Sequence, residues 1–161
     1  MARFTNQAQL RYGDSVANSN IAVGEIMEVI SAAKTAVRKV YEQDDTITYV
    51  ISVVNSGTVP LNAMTVTDDL GMYAFDATTL TPLTYVADTV NYYINGVLQP
   101  KPTVTPGVPL TISGLNIPAG GNIVLVYEAK LNEYAPLAEE SEIKNTVTIS
   151  GGGITPIQVE E

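Results

Sequence analysis

Alternation restricts this chain more than any other feature. Thr46-Ile47-Thr48-Tyr49-Val50-Ile51-Ser52-Val53-Val54 is built of β-branched and aromatic residues, and it stops at the turn signal Asn55-Ser56-Gly57. A pleated strand sends successive side chains to opposite faces, so such a run puts every second residue against a core. The pattern returns at residues 64–68, 90–94, 97–99, 110–112 and 123–127, each bounded by Gly, Pro or Asn. Asn95-Gly96, between two of these runs, marks a hairpin, because a type I′ turn needs positive φ at both central residues. The one helical candidate is residues 134–140, limited by Pro136. Many short strands with regular turns predict an all-β, immunoglobulin-like antiparallel β-sandwich over residues 26–161. Residues 1–25 then form an N-terminal β-strand or hairpin arm around Gly13-Asp14.

Composition narrows the chemistry. With 161 residues, 45% of them hydrophobic, there is enough for one self-sufficient core. Seventeen acids against eight bases give a net charge of -9, which argues against nucleic acid as a partner. No apolar run approaches the roughly 18 residues of a membrane span. The absence of His and Cys removes disulfides, imidazole and thiolate metal sites, and Cys- or His-based nucleophilic catalysis. No cofactor, no metal site and no enzymatic activity on an external substrate are expected. The amino end lacks the basic start and apolar stretch of a secretory signal, and no sorting motif is visible.

The two ends of the chain echo one another. Thr5-Asn6-Gln7-Ala8-Gln9-Leu10-Arg11-Tyr12-Gly13 and Lys144-Asn145-Thr146-Val147-Thr148-Ile149-Ser150-Gly151 each place an Asn, then apolar residues at every second position, then glycine. A second alternating run follows in both cases, Ile21-Ala22-Val23-Gly24-Glu25 and Ile157-Gln158-Val159-Glu160-Glu161. The amino-terminal copy has no domain before it. Its assembly residues would be Asn6, Ala8, Leu10, Tyr12, Ile21 and Val23, adding strands to an edge, preferably on a neighbouring subunit. Arg3 and Arg11 against Asp14 give residues 1–23 a charge of +1; six bases against sixteen acids give the remainder -10. That imbalance favours arm-to-body docking, and repeating such a heterologous contact yields a filament.

Three polar residues are in phase with apolar ones and are expected to point inward. Lys34 follows Ile30 and Ala32, Asp68 follows Met64 and Val66, and Asn145 sits between Ile143 and Val147. Buried polar groups are costly unless they satisfy one another. Burial also lowers the pKa of an amine and raises that of a carboxyl, so a neutral amine beside a protonated acid can attack a carboxamide and expel ammonia. The product would be a Lys34–Asn145 amide across 111 positions, and a crosslink closing a loop of about 100 residues contributes roughly 4.7 kcal/mol on the chain-entropy model. An unreacted trio fits the same pattern, with the Lys34 ammonium reaching water and Asp68 capping the turn before Leu70-Gly71. Glu128, in phase with Val124 and Val126, is the alternative acid; both faces of its strand are apolar, so its direction is open.

The ordered set Lys34-Thr35, Asp45-Thr46-Ile47-Thr48-Tyr49, Asn55-Ser56-Gly57-Thr58, Val66-Thr67-Asp68-Asp69-Leu70 and Asn145-Thr146-Val147-Thr148 resembles the bacterial conserved-repeat domain known as domain of unknown function eleven. It is also similar to the isopeptide-forming fimbrial domains of Gram-positive bacteria. The resemblance covers residues 28–150 and departs from the pattern at Asp69, where relatives often carry Thr. It implies an immunoglobulin-like surface or appendage protein in which Lys34 and Asn145 are joined with Asp68 as the assisting acid. A spore-surface protein made inside the mother cell would need no export signal. The expected function is therefore a structural subunit of an extracellular, cell or spore surface, assembling with itself head to tail. The alternatives are a monomeric spacer within a larger surface protein, or a sugar- or Ca²⁺-binding module using Asp44, Asp45, Asp68, Asp69, Asp76 or Asp88 and an aromatic such as Tyr92 or Tyr93.

Overall fold

A computed structural model describes residues 2–26 and 29–161, with side chains described for residues 5–23 and 29–161. The junction at residues 27–28, next to the expected boundary between arm and sandwich, lies outside the described residues. The chain is all-β, as the alternation predicts. Strands β1 (Ala2–Asn6), β2 (Gln9–Tyr12), β3 (Ser15–Asn18) and β4 (Ala22–Ile26) belong to the arm. They are followed by β5 (Ile30–Ala36), β6 (Thr46–Asn55), β7 (Leu61–Asp68), β8 (Tyr73–Phe75), β9 (Thr78–Leu80) and β10 (Leu83–Tyr85). The chain continues through β11 (Asn91–Ile94), β12 (Val97–Leu98), β13 (Thr103–Thr105), β14 (Leu110–Ile117), β15 (Asn122–Leu131), β16 (Thr146–Ser150) and β17 (Ile157–Glu160).

Two antiparallel sheets make the body. One has the order β12-β11-β15-β6-β5, with β10 also paired to β15; the other runs β13-β14-β7-β16-β17. Ile51, Val53, Leu125 and Tyr127 from the first sheet and Met64, Val66, Ile112, Leu115, Val147 and Ile149 from the second are fully or almost fully buried, and they form the layer between them. The β11–β12 connection is the expected type I′ turn, with Asn95 and Gly96 at φ of 47° and 79°. The expected short helix is not formed. Residues 134–140 are turns, because Pro136 has no N–H to donate and Glu140 takes a positive φ of 67°.

The arm is one long hairpin that pairs with itself. Ladder β1–β4 runs from Ala2↔Ile26 to Asn6↔Ala22 and passes into ladder β2–β3, from Gln9↔Asn18 to Tyr12↔Ser15. The register shifts by one residue between the two ladders. There the Ser19 amide donates to the Ala8 carbonyl at 2.8 Å and the Ser19 hydroxyl accepts from the Ala8 amide at 2.9 Å. Gly13, at φ 56°, supplies the positive φ that a two-residue turn with glycine first requires. Among the described residues, none of β1–β4 joins either sheet of the sandwich.

Candidate functional site

Lys34, Asp68 and Asn145 meet between the two sheets. Lys34 lies on β5, Asp68 closes β7, and Asn145 immediately precedes β16. The register of each strand turns these side chains inward, as the in-phase spacing suggests: Lys34 is opposite Ile51 on β6, and Asp68 is opposite Leu110 and Val147. The three residues are 5%, 1% and 0% exposed. Lys34 Nζ donates to Asp68 Oδ2 at 2.9 Å and to the backbone carbonyl of Asn145 at 3.0 Å. Its side chain does not reach water.

The turn after β7 holds the acid and the amide in place. Leu70 and Gly71 both take positive φ, 57° and 72°, which brings their amides back over the strand end. Leu70 N–H donates to Asp68 Oδ1 at 2.8 Å, and Gly71 N–H donates to Asn145 Oδ1 at 3.2 Å. Asp69, where the resembling sequences often have Thr, accepts from Gly71 N–H at 2.9 Å and from Thr146 N–H at 2.9 Å. It thereby fastens the end of β7 to the start of β16.

Two tyrosines complete the cluster. Tyr127 O–H donates to Asp68 Oδ2, and its ring stacks on Tyr49 with centroids 5.6 Å apart. Lys34 Nζ sits 4.8 Å from the centre of the Tyr49 ring, close enough for a cation–π contact when protonated. Burial lowers the Lys34 pKa from its usual value, and the Asp68 charge only partly offsets this. Burial pushes the Tyr49 hydroxyl up to about 12; it also raises Tyr127 well above its usual value, aided by the charge of Asp68. Asn145 Nδ2 is buried and has no hydrogen-bond partner, although its carboxamide lies beside both tyrosine hydroxyls. An orphaned donor in a site otherwise satisfied is costly to maintain, by about 1–3 kcal/mol. Chemically the site presents an amine of reduced basicity, a carboxyl group hydrogen-bonded to it, and a carboxamide whose NH₂ group has no partner to lose.

Glu128 stays outside this cluster. It shares the outer face of β15 with Val124 and Val126, while Tyr127, one residue earlier, takes the inward position. The sequence signal for Tyr127 was its phase with Ile123 and Leu125, matched by apolar residues on the opposite face of the same strand. The arm residues are placed apart from the trio: Leu10, Tyr12, Ile21 and Val23 are 70%, 86%, 57% and 58% exposed, and Asn6 and Ala8 are exposed as well. Of the aromatics considered for stacking on a sugar, Tyr92 is buried and its hydroxyl donates to the Asn116 carbonyl at 2.8 Å.

Solved structures give this arrangement a context. The RrgB pilus backbone of Streptococcus pneumoniae superposes with a TM-score of 0.57 at 15% identity, over 75% of this chain and 31% of that one. The major pilin SpaD of Corynebacterium diphtheriae gives 0.58 at 18% identity, over 82% and 33%. BcpA, the major pilin subunit of Bacillus cereus, gives 0.53 at 14% identity, over 98% and 45%. The fold is shared with Gram-positive pilin domains. The chain spans less than half the length of each of these pilins. No protein-family model matches the sequence, and no curated protein matches it.

Proposed function

We propose that this protein is a structural subunit of a bacterial cell or spore surface that assembles head to tail through its arm and is braced by a self-formed Lys34–Asn145 amide. The observation that carries the assembly reading is the hairpin over residues 2–26, which leaves Leu10 and Tyr12 exposed and joins no sheet of the sandwich among the described residues. An isolated two-stranded hairpin is marginal in water, and exposed apolar residues on it favour a partner. The pilin fold of the body supports a surface role, and the ordered motifs support kinship with the conserved-repeat domain and its fimbrial relatives.

The amide reaction balances within the cluster. Asp68 takes a proton from the Lys34 ammonium, and the freed amine attacks Asn145 Cγ. Asp68 returns that proton to the departing nitrogen, and the C–N bond to Nδ2 breaks. The new amide nitrogen sheds its extra proton, so the net products are the crosslink and ammonium. No oxidant or cofactor is consumed. Because the reaction happens once per chain, it is maturation of the fold and not enzymatic turnover.

Two measurements test this. Intact mass spectrometry should find the chain lighter by one ammonia, and Lys34→Ala should restore the unmodified mass; a wild-type chain at full mass would sink the amide. Size exclusion and electron microscopy should show filaments for the whole chain and monomers for a chain lacking residues 1–25. Equal behaviour of the two would sink arm-mediated assembly.

A further inference from the structure

Resting on the head-to-tail reading, we propose that the acceptor for the arm is the open edge of β17 on a second copy of this chain. The two margins of the sandwich are unequal. On one, β12 is two residues long and ends just before Pro100, and β13 is three residues long between Pro102 and Pro106. Short strands and flanking prolines are how natural sheets blunt an edge against pairing. On the other margin lie the longer β5 and β17, seven and four residues, which approach each other across the sandwich; no proline lies inside either, and Pro156 stands only at the entry to β17.

Hydrogen-bond phase shows what β17 offers. Asn145 and Glu161 exchange both backbone bonds, at 2.9 and 3.2 Å, and antiparallel pairs alternate between bonded and non-bonded positions. Val159 and Ile157 are therefore bonded to β16, whereas Gln158 and Glu160 turn their N–H and C=O groups outward. On the inward face of the same strand Ile157 and Val159 are only half-buried. The neighbouring margin strand β5 offers the small Ala32 and Ala36 there, so an added strand would cover less apolar surface beside β5 than beside β17. Glu160 also places a half-exposed carboxylate at this margin, with Lys144 3.8 Å away, to meet a segment carrying Arg3 and Arg11; the Glu161 carboxylate is already paired with Lys39.

The arm matches that edge in form. Its asparagine, Asn6, pairs with Ala22, the same number of residues further on as Glu161 is from Asn145, so the two terminal hairpins of the chain have the same span. Leu10 and Tyr12 share one face of the arm with Ala17 and Ser15, and on an arm added outside β17 that face would extend the stripe formed by Ile157 and Val159. Displacing the resident β16–β17 hairpin is the poorer route. Val147 and Ile149 are completely buried, and the arm would put the smaller Ala8 in place of a buried valine, leaving a cavity. Addition outside β17 costs no such packing.

Gln158→Pro removes an outward N–H and no backbone bond to β16; it gives up only the exposed side-chain bond from Gln158 Nε2 to Thr148 Oγ1 at 3.2 Å, so the variant should melt close to wild type and fail to form filaments. Its own arm remains free to dock, so mixing it into wild type should shorten filaments at one end. Hydrogen exchange on the unmodified protein gives an independent readout: amides of Gln158 and Glu160 should gain protection in filaments relative to the monomeric chain lacking residues 1–25. Gln158→Pro filaments like those of wild type, or unchanged exchange at both amides, would overturn the β17 acceptor and leave arm-mediated assembly standing. A chain lacking residues 1–25 that still polymerises, or a monomeric wild type, would overturn both.

Discussion

At the scale of single residues, the buried cluster makes two predictions. Relative to the unreacted chain, Lys34→Met leaves Asp68 in the core with its amine partner gone, and breaking a buried pair from one side costs about 3–5 kcal/mol. Urea unfolding should read that loss; a change below about 1 kcal/mol would mean that Asp68 is satisfied by Tyr127 and the Leu70 amide alone. The second concerns pH. In a chain whose Lys34 amine is still free, burial lowers its pKa, so between the folded value and the ordinary value of 10.5 the unfolded chain holds the extra proton and stability rises with pH; once the amide has formed this contribution is gone. Tyr49 acts in the opposite sense: with a folded value of about 12 and an ordinary value of 10.0, the folded chain keeps its proton longer, and stability falls as pH climbs through that interval. The loss is on the order of 2–3 kcal/mol. Ultraviolet titration of the nine tyrosines should show Tyr49 and Tyr127 ionising late, and Tyr49→Phe should flatten the alkaline decline. A decline unchanged in Tyr49→Phe would remove this hydroxyl as its source.

At the scale of elements, the turn after β7 is more demanding than the β11–β12 turn. A Cβ on Gly71 would lie 2.6 Å from Ile143 Cγ2, whereas one on Gly96 would meet open space, and both glycines have positive φ. Gly96→Ala should therefore cost only the left-handed backbone strain, about 1–2 kcal/mol. Gly71→Ala should add about 1–3 kcal/mol of overpacking and slow any amide formation, because Gly71 N–H holds Asn145 Oδ1. Thermal melts and a time course by mass spectrometry check the two parts. The sheets themselves were legible in the sequence, since β6 and β16 alternate cleanly between one buried and one wetter face, as β7 does from Met64 to Asp68 and β14 from Leu110 to Ser113 before its register shifts. The same phase logic placed Lys34, Asp68 and Asn145 on inward positions. It lost resolution at β15, where valines on the outer face are as apolar as the residues beneath, so Tyr127 was missed and Glu128 kept as a candidate. It also had no means of showing that β4 folds back on β1, because strand pairing is a tertiary fact that alternation does not encode.

At the scale of the whole molecule, the arm, β5 and β17 are the parts nearest the two ends of the chain. A chain lacking residues 1–25 should keep the melting temperature of the sandwich to within a few degrees, since among the described residues no arm strand joins either sheet. A large drop in calorimetry would instead show that the arm braces the body. The closeness of β5 to β17 has a mechanical meaning. In a head-to-tail filament, tension enters a subunit just before Ile30 and leaves through a strand that ends at Glu160. Lys34 and Asn145 stand almost at these two points, so the proposed amide between them would carry the load directly from one to the other. The chain between them, including β6, β7, β14 and β15, then lies off the line of force. A subunit under tension would lengthen only by the short stretches outside the bond, and the sandwich would serve to hold the link in a dry setting.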